Sequence, residues 1–291
     1  VEQMTAVKQG IVAAFQQPNV QARLARKTLA TTPTPQSLRS ETPPTARGDA
    51  RAGPIDFGRY HAVVIGNQAY RHLPSLKTPA ADAQAIGEIL RTDYGFTNVA
   101  VLTDVTRAEM LQALDNLRRT LTERDNVLIY YAGHGWLDKD ADRGYWLPVD
   151  ADADRRTNWL SNADVTDTLR ALKATHVVVI AASCYSGTLV RDVVIRPIGD
   201  PDLARLAEKR ARTVLTSGGL EPVSDVGGGQ HSVFAKALMT SLRESGDVVD
   251  TTGLFSIIRR RVMLNAEQTP QYSDIRQAGH EGGDFLFVRR R

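Results

Sequence analysis

The stretch His176-Val177-Val178-Val179-Ile180-Ala181 constrains this chain more than any other. Four consecutive β-branched residues without polar alternation favour a strand, and one with both faces covered. Such a strand needs an apolar layer above and below it. The rest of the chain supplies candidates for both. Tyr60–Ile65, Val99–Leu102, Val127–Tyr131, Val214–Thr216 and Phe285–Val288 read as further strands. Between them lie segments of helical period. Pro79–Thr92 turns Ala83, Ile86, Ile89 and Leu90 to one face, with Pro79 in its first turn. Thr106–Leu121 carries Thr106 as N-cap with Glu109 three residues on, and Met110, Leu111, Leu114 and Leu117 inward. Asn162–Leu172, Phe234–Leu242 and Leu254–Leu264 complete the set. Strands alternating with helices imply an α/β layered domain on a mostly parallel sheet.

That domain spans 57–291. Before it, residues 31–56 hold Pro33, Pro35, Pro43, Pro44, Gly48, Gly53 and Pro54 among few apolar residues, the pattern of a linker or surface strap. Residues 1–30 form an N-terminal segment of weak helical period through Val7, Ile11, Val12 and Phe15. The first residue is Val, so the chain is expected to begin within a longer reading frame or after processing. The net charge of +3 comes from scattered arginines, which argues against a nucleic-acid face. No apolar run is long enough to cross a bilayer, and no membrane partner is expected. The single cysteine excludes an internal disulfide or a multi-cysteine metal cluster. A free thiol suits the reducing cytoplasm, with export as the alternative.

The chemistry is concentrated where two strands end. Val127–Tyr131 runs into Ala132-Gly133-His134-Gly135, and His176–Ala181 into Ala182-Ser183-Cys184-Tyr185-Ser186-Gly187. Sites in open α/β sheets form beyond the carboxyl ends of the strands. If these strands are neighbours, an imidazole and a thiol share one edge of the sheet. A thiol at neutral pH is mostly protonated, and an imidazole within reach activates it for attack on an amide carbonyl. The negative oxygen formed in that attack needs donors, and the Gly135 and Cys184 amides are the candidates for an oxyanion hole.

Tyr130-Tyr131-Ala132-Gly133-His134-Gly135 and Ser183-Cys184-Tyr185-Ser186-Gly187 resemble the caspase and metacaspase family, its bacterial members especially. Cys184 stands 50 residues after His134, which is the family's spacing. Ile65-Gly66-Asn67-Gln68-Ala69-Tyr70, Leu76–Ala83, Ser217–Asp225 and His231–Ala235 are similar to other segments of the family, so the likeness spans most of Tyr60–Val288. The resemblance implies a three-layer α/β/α sandwich and a cysteine endopeptidase working through a His134–Cys184 dyad on protein or peptide substrates.

Metacaspases and their relatives select Arg or Lys before the scissile bond by means of carboxylates. The family's first acidic position matches Asp82, a residue that also suits the first turn of its own helix. The second lies two residues before the nucleophile, where this chain has Ala182. Asp225 is a candidate for charge from the opposite wall. No cofactor or metal is expected. Calcium, which several metacaspases need, is not favoured, because Ser161 and Asn162 stand where paired acids belong. Asp138, Asp140, Asp142, Asp150, Asp152 and Asp154 then read as a solvated acidic loop. The basic stretch Val190–Arg212 is either a surface loop or a site of activating cleavage. A second class of function is a catalytically silent interaction module on the same fold. Ala182 favours it, and the intact His134 and Cys184 count against it. The oligomeric state is not legible in the sequence.

Overall fold

Along the chain the elements are β1 (Arg59–Gly66), α1 (Pro79–Thr92), β2 (Asn98–Thr103), α2 (Arg107–Thr120), β3 (Asp125–Ala132), β4 (Gly135–Asp138), β5 (Arg143–Trp146), β6 (Leu160–Ser161), α3 (Asn162–Ala171) and β7 (His176–Ala182). There follow α4 (Leu203–Glu208), β8 (Ala211–Thr216), α5 (Val233–Glu244), β9 (Val248–Asp250), α6 (Thr251–Asn265), β10 (Gln271–Asp274) and β11 (Leu286–Val288). The structure is a computed structural model that describes residues 56–183, 203–218, 229–275 and 277–290. Cys184, Asp225, the N-terminal segment and nearly all of the linker lie outside the described residues.

Six strands form the central sheet in the order β10-β8-β7-β3-β1-β2, parallel except for β10. The expected strand of unbroken β-branched residues is β7, near the middle of that sheet and buried along its whole length. Its two faces join different cores. Val178, Ile180 and Ala182 meet Leu128 and Tyr130 of β3 beneath α1, α5 and α6, through Ile86, Leu90, Phe234, Leu238, Leu254 and Ile258. Val177 and Val179 meet Val127 and Ile129 beneath α2 and α3, through Met110, Leu114, Val165 and Leu169. Helices therefore cover both faces of the sheet, as a three-layer α/β/α sandwich requires. Burying each such valine or isoleucine contributes roughly 1.5–3 kcal/mol.

The capping box expected at Thr106 is present, and the structure adds a second. Thr106 and Glu109 close a reciprocal capping box on α2, and Ser161 with Asp164 does the same on α3. The departures are at the margins. The terminal strand, β11, pairs with β9 in a separate two-stranded sheet. Arg212 is no part of a surface loop. It lies fully buried in β8, with its guanidinium on the carbonyls of Leu169, Leu172, Ala174, Thr175 and Ala211.

Candidate active site

Strands β3 and β7 are parallel neighbours, and their register ends at Ala132 opposite Ala182. His134 follows two residues after the first. Cys184 follows two residues after the second in sequence and lies outside the described residues.

The turn that presents His134 is held by two tyrosines. Tyr70 Oη accepts from His134 N at 2.7 Å and donates to Leu147 O at 3.0 Å. Tyr131 Oη lies 2.7 Å from His134 O and accepts from Leu147 N at 3.1 Å. Gly133 sits so close to both hydroxyls that a Cβ there would come within 2.6 Å of Tyr70 Oη and 2.8 Å of Tyr131 Oη. Glycine is the residue that leaves room for them. The Tyr70 ring lies against the imidazole, with centroids 4.6 Å apart.

His134 Nε2 is 2.8 Å from the carbonyl oxygen of Pro74. A carbonyl only accepts, so Nε2 carries a proton, and in the neutral ring the lone pair falls on Nδ1. The contact thus fixes both the tautomer and the plane of the ring. Gly135, half-buried, opens β4 opposite Trp146, whose ring stacks on Tyr131 at 4.5 Å.

Asp82 lies one layer away, on the face shared by Tyr130 and Ala182. Its helix starts against the end of β1. A Cβ on Gly66 would meet Pro79 O at 2.2 Å, so glycine permits that approach. The Asp82 carboxylate is almost wholly buried. It takes His231 Nδ1 at 2.8 Å and the Ser232 amide at 3.3 Å, at the N-terminus of α5. Burial pushes its pKa up, and the hydrogen bonds from Ser232 and His231 pull against that.

Among the described residues two buried hydroxyls on this side of the sheet edge, Tyr130 Oη and Ser217 Oγ, have no hydrogen-bond partner. Ser217 follows β8, and its amide donates to Ala181 O, which sets it beside Ala182. Burial raises the Tyr130 pKa, and the charge of Asp82 adds to the effect. Asp82 and Tyr130 thus lie buried on the face of Ala182, with Ser217 beside Ala182.

Of the residues expected from sequence, His134, Gly135, Asp82 and Ala182 lie at or just beyond the carboxyl edge of the sheet. Cys184 and Asp225 fall outside the described residues. Pro74, Tyr70, Tyr131, Tyr130 and His231 were not read as site residues. The tyrosines and His231 sit inside or beside the quoted motifs, but no sequence signal marks Pro74. The acidic loop is engaged locally. Asp138 pairs with Arg156, Asp150 accepts from Arg107 N at 3.0 Å, and Asp152 accepts from Asp154 N at 3.0 Å. Among the described residues, no group of three or more His, Cys, Asp or Glu side chains is placed to hold a metal ion. No helix among them is long and apolar enough to cross a membrane.

Comparison with known proteins places the family and the fold. The family model of the caspase domain matches residues 59–278. Human mucosa-associated lymphoid tissue lymphoma translocation protein 1 is 37% identical over 91 residues, covering 31% of this chain and 10% of that protein. Its mouse homologue is 36% identical over the same length, so the chain spans about a tenth of the curated relatives it matches. Among solved structures, protein GSU0716 from Geobacter sulfurreducens superposes with a TM-score of 0.54 at 20% identity, covering 77% of this chain and 97% of that one. Caspase-1 from Spodoptera frugiperda gives a TM-score of 0.53 at 14% identity, covering 81% and 94%. At such identities the structural likeness is one of fold.

Proposed function

The chain belongs to the caspase-domain family, and from that premise we propose that it is a cysteine endopeptidase cutting after Arg or Lys. The observation that carries the reading is the bond between His134 Nε2 and the Pro74 carbonyl. It leaves Nδ1 as the basic nitrogen and holds it in one direction.

In the proposed reaction, Nδ1 takes the Cys184 proton and the thiolate attacks the scissile carbonyl carbon. The oxygen gains the negative charge, and the Gly135 and Cys184 amides donate to it. As the tetrahedral species collapses, the C–N bond breaks and His134 returns the proton to the leaving amine. Water, deprotonated by the same nitrogen, then hydrolyses the thioester. Asp82 is the proposed partner of the substrate's basic side chain. Tyr130 and Ser217 offer hydroxyl oxygens to its N–H groups. An incoming guanidinium meets a carboxylate already held by His231 and Ser232, so it must share or displace the imidazole. Asp225 remains the proposed source of charge from the opposite wall.

A second reading, a silent interaction module, draws support from the same place. Ala182 supplies no charge, and Asp82 is already engaged with α5. One assay separates the two. Peptides ending in Arg, Lys or Asp before a fluorogenic amine are incubated with the protein, with and without a thiol alkylator. Alkylator-sensitive release from the Arg and Lys peptides is the expected result. No release from any peptide favours the module, and release from the Asp peptide overturns the specificity.

A further inference from the structure

The hairpin that follows His134 has two faces of opposite character. In β4 and β5 the side chains alternate, so Trp146 on the inner face stacks on Tyr131 and joins the core beneath α2 and α3. On the outer face Trp136 stands opposite Tyr145. Both lean on Trp159. The Trp136 and Trp159 rings are 5.8 Å apart at 54°, and Tyr145 meets Trp159 edge-on at 5.5 Å. Trp159 is fixed from below by its Nε1 bond to Asp152 O at 2.8 Å. Trp136 is not covered. It is 50% exposed, and among the described residues it is the one exposed aromatic side chain. Half of its indole surface is therefore available to a ligand ring.

Continuity with the imidazole says which occupant. Trp159 belongs to an apolar cluster with Tyr70 and Leu147, to which Leu73, Leu76 and Tyr145 add partly buried surface. Tyr70 is the ring against His134, and Leu73 and Leu76 lie on either side of Pro74, the residue that bonds His134 Nε2. The aromatic wall therefore runs from the catalytic imidazole outward. Nearby charge is self-neutralised, since Asp138 pairs with Arg156, which also bonds Tyr145. Direction follows from the layers. Asp82 and Ala182 belong to the face covered by α1, whereas the hairpin packs on the opposite face. A peptide crossing the sheet edge with its basic residue over Asp82 carries its leaving half past His134, which must protonate the departing amine, and on to Trp136.

We propose that Trp136, backed by Trp159 and Tyr145, binds a large apolar or aromatic side chain of the substrate immediately after the scissile bond. The proposal rests on the peptidase reading. An aromatic side chain stacked there replaces water on the open indole face and adds a tilted or offset ring pair. The gain over glycine is about three- to tenfold in affinity, at the usual conversion of ring-pair energies.

The test uses two peptides identical up to and including Arg, with Phe or Gly following it. Binding to the full chain carrying Cys184→Ala is measured by calorimetry, and kcat/KM is measured on the unmodified protein. The Phe peptide should bind about three- to tenfold tighter than the Gly peptide. Adding Trp136→Ala should bring the ratio to about one, and Trp136→Phe should retain most of it. If Trp136→Ala does not fold, Trp136→Gln takes its place. Equal binding of the two peptides, no binding of either, or a preference that survives loss of the indole overturns the platform. Preferential binding of the Phe peptide without cleavage by the unmodified protein overturns the peptidase reading and leaves the platform standing.

Discussion

Strand β3 begins at Asp125 and Asn126 and runs out into Gly133 and His134, and its two ends treat polar groups differently. At the start, both oxygens of the Asp125 carboxylate are answered. The carboxylate takes Arg59 Nε at 2.9 Å, His61 Nε2 at 3.0 Å, and Thr122 N and Oγ1 at 2.7 and 2.8 Å. The other nitrogen of His61 meets Asn98 at 3.2 Å. Burial alone raises the Asp125 pKa, but the bonds from Thr122, His61 and Arg59 outweigh it and bring the value to about 2. Arg212, near the same end, spends its donors on five backbone carbonyls. At the carboxyl end the bonds go to holding the His134 ring in place, while among the described residues the hydroxyls of Tyr130 and Ser217 have no partner. A satisfied network stabilises. A network with deliberate openings costs stability and supports chemistry.

The largest expected effect tests that contrast at the carboxyl end. Cys184→Ala and His134→Ala should each lower kcat/KM for an Arg peptide roughly 10³-fold or more. Cysteine to alanine removes one sulfur and His134 is partly exposed, so the melting temperature should stay within about 2 °C of the parent. Paired kinetics and calorimetry read both quantities. Near-full activity in either variant removes the dyad, and a collapse of the melting temperature means the end is structural after all.

Asp125 should give the mirror image. A carboxylate held at about 2 against an ordinary 3.8 contributes about 2 kcal/mol to folding when ionised in both states. Because its pKa is depressed in the folded chain, that contribution is complete above about pH 4 and is lost as the pH falls toward 2. Asp125→Asn should therefore melt about 4–8 °C lower at pH 7, while the difference from the parent narrows through that acid window. Activity per folded molecule should not change. If turnover falls with stability intact, the base of the sheet communicates with the site and the division between the two ends fails.

How far these two ends could be read in advance follows from what makes each. The sandwich was legible because β7 is a buried β-branched run and the helices carry clean apolar faces and caps, all of which are local signals. His134 and its turn were legible because Gly133 and Gly135 mark a tight backbone. The Asp125 network was not, since Arg59 and His61 reach the carboxylate only through the register of β1 on β3, and Thr122 alone is local. The Pro74 carbonyl was invisible for a sharper reason. Any residue supplies a carbonyl, so its role lies in position and leaves no trace in side-chain identity. The hairpin with Trp136 escaped notice because its strands are four residues long and bounded by an acidic loop that reads as irregular.

The smallest expected effect concerns Ala182, where the metacaspase-like sequence pattern would place a second acid. An aspartate there would stand beside Tyr130 and Ser217, whose hydroxyls can donate to it, and on the same face as Asp82. In the empty pocket the two carboxylates oppose each other's ionisation, which adds to the upward push that burial already exerts on Asp82. A guanidinium reverses the sign of that interaction. A charge-assisted bond contributes roughly 1.5–3 kcal/mol, and the repulsion offsets part of it. Ala182→Asp should therefore raise kcat/KM for an Arg peptide about tenfold and leave a neutral peptide unchanged or slightly poorer. The gain should grow as the pH rises from 5 to 8, because raised carboxylate pKa values keep part of the pair protonated at the acid end. Both substrates are measured at each pH with active-site titration, so that only competent enzyme is counted. A ratio between substrates that does not move with the substitution would mean that residue 182 lies outside the pocket. Asp82 would then have to select the basic side chain alone, against the competing claim of His231.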